Sequence, residues 1–133
     1  MFDIINKYSP HMKLNPWYDH QVHGRYGPEE ALIDAIQTEN FRVILASLHL
    51  FKHIKNWPRL YRMAKEKNCW QKVGALYDVA RLFMRVHQIG SRYLKVITKK
   101  WVALTQLRKK NFPEIAGRWK VYIPFNEHDM VEL

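Results

Sequence analysis

The chain has a single cysteine, Cys69, so no intrachain disulfide can form, which suits a reducing, intracellular setting. No apolar run approaches the ~18 residues of a membrane span, and the N-terminus lacks a signal peptide's apolar stretch. A cytoplasmic location with no membrane partner is therefore expected. The five glycines are scattered along the chain, which leaves no glycine-rich phosphate loop and no nucleophile elbow. Acidic residues are scarce in the middle: positions 41–120 hold 3 Asp/Glu against 19 Lys/Arg. Without clustered carboxylates there, two-metal phosphoryl chemistry has no ligands.

What is present is positive charge. The formal net charge is +10, and the two ends, 1–40 and 121–133, carry only 3 basic but 9 acidic residues. A cationic block of that density attracts polyanions, with DNA or RNA the first expected partner and an acidic protein the second. A hydrophobic content of 47%, with 14% aromatic, marks a chain that folds, and 133 residues suffice for one core.

Periodicity predicts an all-α domain: a five-helix bundle or stacked helical hairpins, with an irregular N-terminal arm (1–27) and one short C-terminal strand. Within it, 28–110 form the helical core and 111–133 an extended segment. The stretch Asn68–Gln88 organises the rest. Gln71, Gly74, Asp78, Arg81, Arg85 and Gln88 fall on one helical line, and nearly everything else there is apolar. So narrow a polar stripe implies a helix buried on most sides with one strip reaching water, closed at Gly90 by a left-handed cap. Before it, helices are expected from Pro28, over Phe41–Ile54, and from Asn56, which reads as an N-cap. Arg42, Ala46, His49 and His53 form the outward line of the second. After it, Ser91 to about Lys110 reads as a fifth helix, and Arg118–Phe125 as a strand paired with the N-terminal arm.

Candidate site residues follow from the charge. Arg81 and Arg85 on the central helix, and Arg92, Lys95, Lys99, Lys100, Arg108, Lys109 and Lys110 on or beside the next, merge into a phosphate track if those helices are antiparallel neighbours. Trp70, Tyr93 and Trp101 are interleaved aromatics that either stack on bases or pack into the core. The paired histidines His20 and His23, and His49 and His53, lack a third ligand, and Lys52 and Lys55 beside the second pair repel a cation, so no metal and no other cofactor is expected. Arg42 with His49, and Arg81 with His87, fit the Arg-x(4–6)-His spacing. That spacing resembles the ribonuclease signature of HEPN domains, helical bundles that often dimerise around an RNA-cleaving site. The resemblance implies an arginine that stabilises a phosphorane and a histidine that moves a proton; a homodimer would follow.

Four phrases resemble the C-terminal helical half of AbiEi-type antitoxin and transcription regulators of prokaryotic toxin–antitoxin loci. They are Pro28 to Ala35 (PEEALIDA), Trp57-x-x-Leu60-x-x-x-Ala64, Gly74-Ala75-Leu76-Tyr77 and Arg118 to Tyr122 (RWKVY). The resemblance implies a prokaryotic regulatory protein that uses charge to contact nucleic acid or an acidic toxin, and the chain as a whole reads as a non-enzymatic, nucleic-acid-associated protein. The 27 residues before Pro28 leave no room for that family's winged helix-turn-helix, so no recognition helix is carried over.

Overall fold

A computed structural model describes residues 1–9, 14, 26–95 and 98–133. The described chain is mainly helical, with six α-helices, three short 3₁₀ turns and a two-stranded parallel sheet. The expected helical class holds, with several elements redrawn.

Three helix starts lie where their caps place them. Helix α2 (Pro28–Gln37) begins at the proline, and Glu30 Oε2 accepts the Gly27 N–H at 3.0 Å. Helix α3 (Phe41–Ser47) is capped by Asn40, whose Oδ1 accepts the Val43 N–H at 3.1 Å. Helix α4 (Trp57–Glu66) is capped in the same way by Asn56, which accepts the Arg59 N–H at 3.1 Å. Each side chain satisfies an N–H that the first helical turn leaves unpaired. Glu29, buried at 6% exposure, goes further. Its Oε1 accepts the Lys55 and Asn56 N–H groups at 3.2 and 3.1 Å, tying α2 to the entry of α4. Glu30 also pairs with Arg59 across the same joint.

The N-terminal arm is not irregular throughout, because Phe2–Tyr8 form helix α1, with Phe2 and Ile5 buried. Asn6 then fastens Leu14 by two hydrogen bonds, 3.0 Å to its carbonyl and 2.7 Å from its N–H. His20, His23, Trp17 and Tyr18 lie outside the described residues. The helix expected over Phe41–Ile54 tightens after Ser47 into a 3₁₀ turn, Leu48–His53, packed against α1, α2 and α5. Covered on several sides, this segment has no outward line: Ala46 and His49 are buried, at 0% and 3% exposure.

Helix α5 (Trp70–Phe83) is the expected central helix, with Val73, Ala75, Leu76, Tyr77, Val79 and Ala80 fully buried. It stops seven residues short of Gly90, which is extended (φ −62°, ψ 148°) and leads into the next turn instead of closing α5. Met84 is extended, and the chain folds back so that Tyr77 Oη accepts the Ile89 N–H at 2.9 Å. Burial of Ile89 beside α5 is the gain that a continued helix would forfeit.

The fifth long helix is absent. Ser91–Tyr93 make one 3₁₀ turn, and Val102–Ala103 form strand β1. Its partner is β2 (Val121–Tyr122), parallel, with Val102 opposite Val121 and Ala103 opposite Tyr122. The C-terminal strand thus exists, and among the described residues its partner is β1 and not the N-terminal arm. A parallel pair needs a crossover. It is supplied by helix α6 (Pro113–Trp119) inside the segment expected to be extended. Pro113 starts α6 after a left-handed Phe112 (φ 52°), and Lys120 (φ 58°) turns the chain directly into β2. Val121, Ile123 and Phe125 then enter the core with no exposed surface.

Candidate nucleic-acid interface

The polar line of α5 is a seat for α6. At Gly74 a side chain would collide with Trp119, since a Cβ there would lie 2.2 Å from two carbons of the indole. The absence of a side chain lets the fully buried ring lie directly on the α5 backbone. One turn on, Asp78 Oδ2 accepts the Trp119 Nε1–H at 2.6 Å and lies 3.5 Å from Arg118. One turn back, Gln71 Nε2 donates to the carbonyls of Trp119 and Lys100, both at 3.1 Å. Gln71, Gly74 and Asp78 are therefore spent on docking the C-terminal segment. Of that line, Arg81, Arg85 and Gln88 are exposed, and the last two lie beyond the end of the helix.

Losing the fifth helix divides the expected phosphate track into separate clusters. Arg81 lies over the Tyr77 ring (5.6 Å) and shares a cavity of about 440 Å³ with Asp78, Glu114 and Arg118, so acids offset its charge locally. Arg85 is exposed on the returning segment. Arg92 packs on Tyr93 (4.7 Å) beside Arg62 and Tyr61. Lys99 and Lys109 are exposed.

The remaining residues form two neighbouring sites on either side of one chain edge. On one side is a platform, where half-buried Trp101 and Tyr122 rings lie 4.9 Å apart at 35°. Lys110 and Lys120 stand 4.6 and 5.6 Å from the Trp101 centroid, and Arg108 lies 5.6 Å from that of Tyr122. The strand register produces this pairing. Tyr122 sits opposite Ala103, so it shares a face with the residue two positions before Ala103, which is Trp101. On the other side Lys100 and Val102 line a cavity of about 390 Å³ with Lys65, Lys95, Gln71, Trp70 and Trp119. Lys65, Lys120 and Tyr122 were not among the expected contacts. The sequence signal for the latter two is the basic–aromatic alternation Trp119-Lys120-Val121-Tyr122. Of the three interleaved aromatics, Trp70 and Tyr93 are buried, and Trp70 Nε1 donates to the Tyr93 carbonyl at 2.9 Å. Only Trp101 remains available for stacking.

Compared with known proteins, the chain matches no family model, no curated protein and no solved structure.

The Arg-x(4–6)-His pairs do not share a helical face. Arg42 is exposed on α3, whereas His49 is buried in the 3₁₀ turn that follows it. Arg81 lies in the last turn of α5, whereas His87 is exposed on the returning segment because the helix has already stopped. Among the described residues no group of three His, Cys, Asp or Glu side chains is placed to hold a metal ion. The Cys69 thiol is buried, and that burial raises its pKa and keeps it protonated. Among the described residues no helix is long and apolar enough to cross a membrane.

Proposed function

We propose that the chain binds nucleic acid through the Trp101–Tyr122 platform and its three cations, Arg108, Lys110 and Lys120. The observation that carries this reading is the placement of those cations around a half-exposed aromatic pair. Aromatic faces hold bases regardless of sequence, arginine grips phosphate with two donors, and lysine does so as a point charge. Helices α5 and α6 pack against β2 and form the scaffold that carries the platform. The reading assigns no catalytic step. It accommodates a cytoplasmic, antitoxin-like regulatory role, the one implied by the AbiEi resemblance, in which charge and not a recognition helix makes the contact.

The test is fluorescence anisotropy of a labelled oligonucleotide between about 50 and 200 mM salt. Affinity should fall linearly on a log–log plot, and each phosphate-bound lysine removed should lower the slope by about 0.7–0.9. Trp101→Ala should weaken binding by about 1–3 kcal/mol without changing the slope. Absence of binding to both DNA and RNA at the lowest salt would overturn the reading.

A further inference from the structure

The platform and the cavity are separated by a single step of the chain. Lys100 and Val102 face the cavity, and Trp101 between them faces Tyr122 on the other side. This is the alternation of extended backbone, in which consecutive side chains point to opposite faces. Gln71 holds the edge in place, because its amide grips the Lys100 carbonyl and the Trp119 carbonyl behind it at 3.1 Å each. Lys65, Lys95 and Lys100 line the cavity and make it cationic, and Trp70 and the buried Trp119 belong to its wall. Its volume of about 390 Å³ falls in the range of small-ligand pockets, about 300–1,000 Å³.

We infer that the nucleic acid this protein prefers is a single strand, which crosses the Lys100–Trp101 edge with one base on Trp101 and the neighbouring nucleotide in the cavity beneath Lys65 and Lys100. The inference rests on the nucleic-acid reading of the platform. A duplex holds adjacent bases of a strand stacked about 3.4 Å apart, so it cannot splay them to opposite sides of a protein edge. It can touch the lysines only with its phosphates. A single strand pays little to unstack, and its bases have free faces for indole rings. Lys110 and Lys120, which rest over Trp101, are flexible stems whose ammonium groups turn to the flanking phosphates when a base takes the ring.

The experiment compares labelled single-stranded DNA and RNA 12-mers with the matching duplex, by anisotropy at fixed low salt. Single strands, DNA or RNA, should bind about tenfold tighter than duplex. The double variant Lys65→Gln/Lys100→Gln, folded by circular dichroism, should erase that preference, with single-strand affinity falling about tenfold more than duplex affinity. Duplex binding equal to or tighter than single-strand binding overturns the inference and leaves the platform reading standing. A preference that survives the double variant also overturns it, because the cavity then plays no part. Loss of binding to single strand and duplex alike in the unmodified protein removes both readings.

Discussion

Replacing Gly74 with alanine sets two effects of opposite sign against each other. Helix propensity alone favours the change by about 1 kcal/mol, because glycine is a poor residue in a helix interior. The new methyl would lie 2.2 Å from Cη2 and Cζ3 of Trp119 and 2.6 Å from Cε3. Carbon atoms rest at about 3.5–4.0 Å, so the indole must retreat by more than an ångström. It has little freedom to do so. Its Nε1–H is held by Asp78 at 2.6 Å, and its carbonyl by Gln71 at 3.1 Å. Overpacking of this kind costs about 1–3 kcal/mol, and complete ejection of a core tryptophan about 3–5. We expect Gly74→Ala to lose a net ~2 kcal/mol, lowering the thermal midpoint by about 6–12 °C. The assay is urea and thermal unfolding followed by circular dichroism, for Gly74→Ala, Trp119→Leu and the double variant. If the clash is the cause, the double variant should be more stable than the sum of the single effects predicts by at least ~1 kcal/mol. Gly74→Ala equal to or more stable than the parent would refute the seating of Trp119 on α5.

The acceptor on the other side of the indole gives a companion test. Asp78→Ala leaves the Trp119 N–H without its partner and should cost about 1–3 kcal/mol in urea unfolding, whereas Asp78→Asn keeps an acceptor and should cost less; equal losses would show that the hydrogen bond contributes nothing. His53 stacks on Tyr8 at 3.8 Å, and its pKa is lowered below 6.5 by burial and then by Lys52, Lys55 and Lys7. The unfolded chain therefore takes up the proton first. Stability should be complete above about pH 6.5, fall as the pH drops toward the lowered folded value, and level off below it. His53→Gln should flatten that segment of the stability–pH curve, and an unchanged curve would reassign the titration to another group.

The parts of this fold that could be read in advance are those with local chemistry. Pro28, Asn40 and Asn56 start helices because a first turn needs a fixed φ or a side-chain acceptor, and both needs are visible in neighbouring residues. Buried Glu29 illustrates the limit. It sits in a helix's first turn, where a carboxylate complements the dipole, but its partners, the Lys55 and Asn56 amides, are remote in sequence. The misread fifth helix has the same origin. Lysines at 95, 99 and 109 fit helical spacing, yet Thr98, Val102 and Thr105 are β-branched, and the strand they favour becomes visible only with β2 in place. At the site, the cationic composition was legible while its division into clusters was not, because the track depended on that helix. Trp119 read as a strand residue. Nothing near it in sequence reveals that Gly74 and Asp78 are its receptacle.

The parallel pairing of β1 with β2 has a consequence for the order of assembly. Trp119 fills the notch on α5, and Phe125 packs edge-on against Phe41 at 5.7 Å, so the last part of the chain closes interiors laid down by the first. Contacts between positions so remote in sequence carry a large loop-closure cost and form late. During synthesis the helices up to α5 wait with an open hydrophobic slot until residues 119–125 emerge. A growing chain at that stage is the form of this protein most exposed to aggregation and to chaperones.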